Sequence, residues 1–188
     1  MLFKLENELF LKQRAFAVWF TGLSGSGKTT LAELTKKVLT DNGYLLRILD
    51  GDIIRQGINK DLGFSDNDRQ ENIRRVAEIA KLFIDSGIIC ICCFISPTNK
   101  IRQMARDIIG DKNFFEVYLN ASIDACEKRD IKGLYKAARQ GLIKNFTGID
   151  APYEVPETPN LIIKTDELSV QQSLEICINS LIQEIKRN

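Results

Sequence analysis

Between Gly22 and Thr29 the chain reads GLSGSGKT, which fits the pattern G-x-x-x-x-G-K-[ST] without a mismatch. An apolar run, Phe16 to Phe20, precedes it, and a segment with helical spacing at Leu31, Leu34, Thr35, Val38 and Leu39 follows. Strand, glycine-rich loop and helix in that order restrict the chain to folds that place a helix N-terminus at the end of a buried strand. Glycines at 22, 25 and 27 let backbone N–H groups turn inward around phosphate oxygens with no Cβ in the way. The helix that begins near Lys28 aims its positive end at the same anion. Lys28 is expected to reach the β and γ phosphates of a nucleoside triphosphate, and the Thr29 hydroxyl to hold Mg²⁺. The donor contacts expected from this stretch are Gly22, Leu23, Ser24, Gly25, Ser26, Gly27, Lys28, Thr29 and Thr30.

With 188 residues the chain is most simply a single domain, spanning 1–188. Lys plus Arg number 26 against 25 Asp plus Glu, a net charge of +1, so nothing points to a nucleic-acid polymer or a membrane surface as partner. There is no histidine, which leaves base chemistry to a carboxylate or to water. The five cysteines lack paired metal-ligand spacing, and three of them sit in one apolar run, as buried thiols do in a reducing compartment. Met1 to Arg14 mixes charges into its apolar residues, unlike a secretory signal, and reads as an amphipathic surface helix. No stretch is apolar for long enough to span a bilayer, and the expectation is a cytoplasmic enzyme.

Tyr44 to Leu49 reads as a second strand, ending in Asp50-Gly51-Asp52. Ligands of open α/β sheets gather at the carboxyl ends of strands, so these carboxylates are candidates for Mg²⁺ coordination and for orienting a hydroxyl nucleophile. Read alone, the same tripeptide is a solvated turn. A helix from about Asp66 to Ser86, capped by Ser65, carries its buried stripe on Ile73, Val76, Ala77, Ala80, Phe83 and Ile84. Arg69, Asn72 and Arg75 share another side of it. Ile88 to Ile95 reads as a central strand that ends at Ser96-Pro97. A helix over Lys100 to Ile109, a strand over Phe114 to Leu119 and a short helix from Ser122 to Arg129 follow. The segment from Asp130 to Glu154 is cationic and lacks a strong hydrophobic period, which suggests a loosely packed lid that closes over phosphates. A fifth strand, Leu161 to Lys164, leads to a last helix at Ser169, where S-x-x-Q resembles a capping box.

Four strings carry a resemblance: FTGLSGSGKT at 20–29, LDGD with LGFSDNDRQENIRR at 49–52 and 62–75, FISP at 94–97, and RDIKGLYKAARQGLIKNFTGIDAPYE at 129–154. In this order they resemble the adenylylsulfate kinase family, from about Arg14 to the C-terminal helix. The resemblance implies an α/β, three-layer P-loop NTPase fold: a mostly parallel five-stranded sheet, helices on both faces and a mobile basic lid. It also implies transfer of phosphate from ATP, with Mg²⁺, to the ribose 3′-hydroxyl of adenosine 5′-phosphosulfate, and a homodimer.

Carried over residue by residue, the resemblance makes Asp52 the group oriented on the 3′-hydroxyl and lets Asp50 support Mg²⁺ through water. Arg55, Arg69 and Asn72 would hold the phosphosulfate and ribose, with Ile95 also lining the acceptor site. Phe64 and Phe146 would sandwich the base. Lys132, Gly133 and Leu134 would close over the nucleotide, and Arg129 would lie near the ATP adenine. Ser96 matches a serine that bacterial relatives assign to a phosphoserine intermediate, although direct in-line transfer needs only positioning and charge neutralisation. One loop departs from the common pattern: Thr98-Asn99 stand where many relatives carry an aromatic or histidine followed by arginine. That departure keeps open a homologous kinase acting on another nucleotide with a similar tail, such as a cytidine diphosphoramidate. A catalytically silent nucleotide-binding module is the alternative of another class.

Overall fold

A computed structural model of the chain describes residues 2–186; Met1, Arg187 and Asn188 lie outside the described residues. The elements, in chain order, are α1 (Leu2–Leu11), β1 (Ala17–Thr21), α2 (Lys28–Asp41), β2 (Leu46–Asp50), α3 (Gly51–Gln56), α4 (Asp66–Asp85) and β3 (Ile89–Cys93). They continue with α5 (Asn99–Ile109), a 3₁₀ turn (Asp111–Asn113), β4 (Phe114–Asn120), α6 (Ile123–Arg129), α7 (Leu134–Arg139), β5 (Leu161–Lys164) and α8 (Val170–Ile185). No described helix is long and apolar enough to cross a membrane.

The five strands form one parallel sheet in the order β2-β3-β1-β4-β5, so β1 lies at its centre. Val18 sits in register with Ile91 on one side and Phe115 on the other. Side chains alternate across a strand, and β1 shows the result. Ala17 and Trp19 join one core with Ile73, Val76, Ala77 and Ala80 of α4 and Ile101 and Ala105 of α5. Phe16, Val18 and Phe20 join the opposite core with Leu31 and Leu39 of α2 and Leu174, Cys177 and Leu181 of α8. A strand buried on both faces has no polar side to show, which is why its sequence reads as an unbroken apolar run. The three-layer α/β class expected from the sequence is the one observed.

Several boundaries differ from the sequence reading. The third strand stops at Cys93 rather than Ile95, because the chain turns at Ser96, whose φ is +40°. Gly51 and Asp52 are not a free turn but the first turn of α3, with the Asp50 carboxylate accepting the Asp52 N–H at 2.9 Å. The basic segment is not uniformly loose either. It contains α7, which buries Tyr135 and Ala138 in a third, smaller core with Leu23, Ala121, Cys126 and Phe146. Both expected caps are present: Ser65 and Asp68 close a capping box on α4, and Ser169 and Gln172 close one on α8. The five cysteines are free and buried. Burial pushes the Cys93 and Cys177 thiols up, the latter to about 12, so they stay protonated and behave as small apolar groups.

Candidate active site

The loop between β1 and α2 is shaped by what a side chain could not do there. Gly22 has φ +148°, and a Cβ on it would lie 2.6 Å from the Leu119 carbonyl oxygen and 2.8 Å from Ser26 Oγ. Gly27, at φ +95°, is the N-cap of α2 and offers no side chain to the first-turn N–H groups. A helix N-terminus left open in this way is an anion site. Lys28 Nζ donates to the carbonyls of Gly22 at 2.9 Å and Leu23 at 2.7 Å, so its ammonium arches back over the loop. Burial lowers its pKa to about 8, against the smaller opposing pull of nearby groups that include Asp50 and Asp52.

Two further side chains fix the loop from outside. Arg129 donates to the Gly25 carbonyl at 3.1 Å, and the Thr165 hydroxyl donates to the Ser26 carbonyl at 2.9 Å. Arg129 therefore braces the loop backbone. Ser24 and Ser26 contribute backbone carbonyls, while Thr30 is exposed on the first turn of α2.

At the end of β2, Thr29 Oγ1 donates to Asp50 Oδ2 at 2.8 Å. These are hard oxygen donors beside the phosphate loop, and they fit Mg²⁺, which takes one or two protein oxygens and fills the rest of its shell with water and phosphate. Among the described residues no cluster of three or more Cys, Asp or Glu side chains is placed to hold a metal. Asp52, two residues further on, is exposed and forms an ion pair with Lys132, which precedes α7. The strand-end carboxylate and the basic segment thus meet across the mouth of the site. Gly133, φ +67°, N-caps α7, and Leu134 packs against the third core.

On the other side of the cleft, Arg55 and Arg69 converge on Phe64. Their guanidinium carbons lie 4.4 and 5.8 Å from the ring centroid, and Phe64 is 60% exposed. Both arginines donate mainly to backbone carbonyls: Arg55 to Leu62 and Gly63, Arg69 to Phe64 and Asn145. Burial and then the charge of Arg69 pull Arg55 below its ordinary pKa, as expected for two cations that share a region. Such a pair is suited to a doubly charged anion. Arg69 also donates to the Thr147 hydroxyl at 3.3 Å, so a single guanidinium ties the Phe64 turn to the segment carrying Phe146.

Not every residue of the carried-over set faces the cleft. Asn72 is buried, and its side-chain oxygen accepts from Asn59 Nδ2 at 2.9 Å. Arg75, which shares a side of α4 with Arg69 and Asn72 but is given no role by the resemblance, is engaged with Asp61 and Glu71. Phe146 is 9% exposed and packs T-shaped against Tyr135 with ring centroids 5.0 Å apart, so the two phenylalanines are not equivalent platforms. Ser96 is 2% exposed. Its Oγ accepts from Trp19 Nε1 at 3.1 Å and donates to Thr21 Oγ1 at 3.1 Å, while the Ile95 carbonyl accepts from Thr21 Oγ1 at 2.7 Å.

Sequence reasoning missed the support beneath Ser96. Arg102, 3% exposed, donates to the carbonyls of Ser96 at 2.6 Å and Glu154 at 2.7 Å and pairs with Glu116 at 3.1 Å. The available signal was Glu116 itself, a lone charge inside the buried strand FFEVYLN. The two departing residues find their places here as well. Thr98 N-caps α5, the Asn99 N–H donates to Glu154, and Asn99 Oδ1 accepts from Arg102.

Comparison with known proteins agrees with this geometry. The adenylylsulphate kinase family model matches residues 14–164. An adenylyl-sulfate kinase of Bacteroides thetaiotaomicron is 52% identical over 187 residues, covering 100% of this chain and 93% of the relative. One from Phocaeicola vulgatus is 55% identical over 183 residues, covering 97% and 88% respectively. Among solved structures, the Mycobacterium tuberculosis APS kinase in complex with AMPPNP and APS superposes with a TM-score of 0.86. It is 44% identical, with 90% of this chain and 98% of that one covered.

Proposed function

The chain belongs to the adenylylsulphate kinase family, and on that premise we propose the residues with which it phosphorylates adenosine 5′-phosphosulfate. It is an ATP-dependent kinase that transfers the γ-phosphate to the ribose 3′-hydroxyl, giving 3′-phosphoadenosine 5′-phosphosulfate. ATP lies along the Gly22–Thr30 loop, its phosphates held by loop N–H groups, the α2 N-terminus and Lys28. Thr29 would hold Mg²⁺, with Asp50 orienting its hydroxyl, and the ion would supply charge neutralisation at the phosphates. Arg55 and Arg69 take the phosphosulfate. Phe64 offers the open face for the adenine, Phe146 and Ile95 form the wall, and Asn72 supports the pocket through Asn59. Asp52 accepts a hydrogen bond from the 3′-hydroxyl. The 3′ oxygen bonds to the γ phosphorus as the bond to the β–γ bridging oxygen breaks, ADP leaves, and the hydroxyl proton passes to Asp52.

Convergence at the end of β2 carries this assignment. Thr29, Asp50 and Asp52 form one hydrogen-bonded chain beside the loop, and Lys132 reaches the same Asp52. Lys132, Gly133 and Leu134 close over the acceptor from there, and Arg129 secures the loop beneath ATP. Ser96 holds the strand-end turn, and transfer is direct, because its hydroxyl is committed to Trp19 and Thr21. The Thr98-Asn99 departure is accounted for by the α5 cap and the contact with Glu154, which removes the reason to prefer a cytidine acceptor. The enzyme acts in the cytoplasm as a homodimer, with exposed Leu9 and Phe10 of α1 as an apolar surface for the contact; light scattering after gel filtration tests the dimer. For the activity, ADP release is measured with Mg²⁺-ATP and a panel of acceptors, and the product is identified by mass. Adenosine 5′-phosphosulfate should outcompete cytidine nucleotides, and ADP release independent of any acceptor would overturn the reading.

A further inference from the structure

The third core is small, yet it contains parts of both halves of the site. Leu23 comes from the phosphate loop, Phe146 from the acceptor wall, and Tyr135 lies between them, fully buried. Gly148 closes the packing, since a Cβ there would lie 3.0 Å from Leu23 Cδ2. The α7 helix that presents Tyr135 is fixed at its start by the Asp130 carboxylate, which accepts the N–H groups of Tyr135 and Lys136 at 3.1 Å each.

The Tyr135 hydroxyl donates to the Ser24 carbonyl at 2.9 Å, and the Tyr135 ring meets Phe146 at 5.0 Å with an interplanar angle of 77°. A trans peptide is planar, so its C=O and the following N–H point in opposite directions. Holding the Ser24 carbonyl toward the small core therefore aims the Gly25 N–H away from it. Arg129 holds the next carbonyl, that of Gly25. Two successive peptide planes of the phosphate loop are thus set by side chains lying C-terminal to β4. Burial pushes the Tyr135 phenol well above its ordinary pKa, so it remains a donor throughout the working pH range.

We infer that Tyr135 is a positioning residue that serves both substrates, its hydroxyl orienting the Ser24–Gly25 peptide for ATP while its ring sets Phe146 for the acceptor. This rests on the assignment of the two half-sites under Proposed function. Neither contact touches the reacting atoms; each acts through the group it holds.

The hydroxyl and the ring can be separated. Tyr135→Phe keeps the ring and the packing but leaves the Ser24 carbonyl without its donor. The dissociation constant for AMPPNP with Mg²⁺, measured by calorimetry, should rise about three- to tenfold, as expected for one lost hydrogen bond. The KM for adenosine 5′-phosphosulfate should stay within about twofold of wild type. Tyr135→Leu, which removes the edge contact too, should raise both quantities. In Tyr135→Phe, an unchanged AMPPNP affinity, equal changes for both substrates, or a lowered melting temperature with no change in affinity would each overturn the inference. The affinity arm needs no acceptor. If the wild-type protein bound AMPPNP but failed to turn over adenosine 5′-phosphosulfate, the functional reading would fall while the Tyr135→Phe affinity still decided the role of the hydroxyl.

Discussion

The hydroxyl of Thr29 donates to one carboxylate oxygen of Asp50 at 2.8 Å, while the other oxygen of that carboxylate accepts the first-turn N–H of α3. One side chain therefore orients the hydroxyl proposed to hold Mg²⁺ and starts the helix that carries Asp52. Groups that orient ligands in this way typically matter by about 10- to 100-fold in metal affinity or activity. Asp50→Ala is expected to shift the Mg²⁺ dependence of the initial rate to at least about tenfold higher concentration. An unaltered Mg²⁺ titration at saturating ATP would remove Asp50 from the metal site.

Asp52 is exposed and its carboxylate pairs with Lys132 rather than with the phosphate loop, so its loss should separate chemistry from donor binding. With Asp52→Ala, kcat should fall by about 10²- to 10⁴-fold, the usual contribution of a positioned acid–base group. AMPPNP affinity should change little. Turnover close to wild type would show that the hydroxyl needs no carboxylate partner.

Lys28 should make nucleotide binding depend on pH. Burial lowers its pKa from 10.5 to about 8, so above about pH 8 the free protein increasingly carries a neutral amine. Bound phosphates favour the ammonium and raise the pKa again. The sign follows: affinity should fall as pH rises from about 8 to 10, and binding at about pH 9 should take up close to one proton, against almost none at about pH 7. Calorimetry in buffers of different ionisation enthalpy measures that uptake. In Lys28→Arg, where the charge never leaves, it should vanish.

Ser96→Ala addresses the phosphoserine question directly. The substitution leaves the buried Trp19 Nε1–H without its acceptor, which should cost about 1–3 kcal/mol of stability in a denaturant titration. Turnover of the folded variant should stay within about tenfold of wild type, since direct transfer does not use the hydroxyl. Loss of all turnover with the fold intact would establish the covalent route instead.

Ser169→Ala is the counterpart without consequence for activity. Ser169 and Gln172 close the capping box of α8, which packs on the α2 side of the sheet. Removing the cap should cost about 1 kcal/mol and lower the melting temperature by about 2–4 °C. A change in either KM would mean that α8 communicates with the site.

The sequence revealed those features whose cause is local. Apolar runs marked the five strands, and Ser65 and Ser169 marked two helix starts, because strand burial and capping leave their marks within a few residues. It misread α3, since Asp-Gly-Asp serves equally well as a turn and as a cap followed by a first turn. It misread the packing around α7, because the surrounding cations hid Tyr135 and Ala138, three residues apart on one buried side. Asn72 turned inward for a reason no local pattern contains: its partner, Asn59, arrives from the loop before α4. Arg102 could not be paired locally either, its partners being drawn from Ser96, Glu116 and Glu154; only the lone charge of Glu116 in a buried strand hinted at it.

The strand order sets a timetable for synthesis. The central strand, β1, buried along its whole length, is made early but pairs only with β3 and β4, so it has no partner until Ile89–Cys93 has been translated. At about 5–20 residues per second, that interval lasts roughly 3 to 14 seconds. During it Val18, Trp19 and Phe20 are a sticky nascent segment that α2 can cover on one side only. Slowing translation between Thr21 and Ile89 should therefore lower the yield of soluble protein more than slowing it after Asn120.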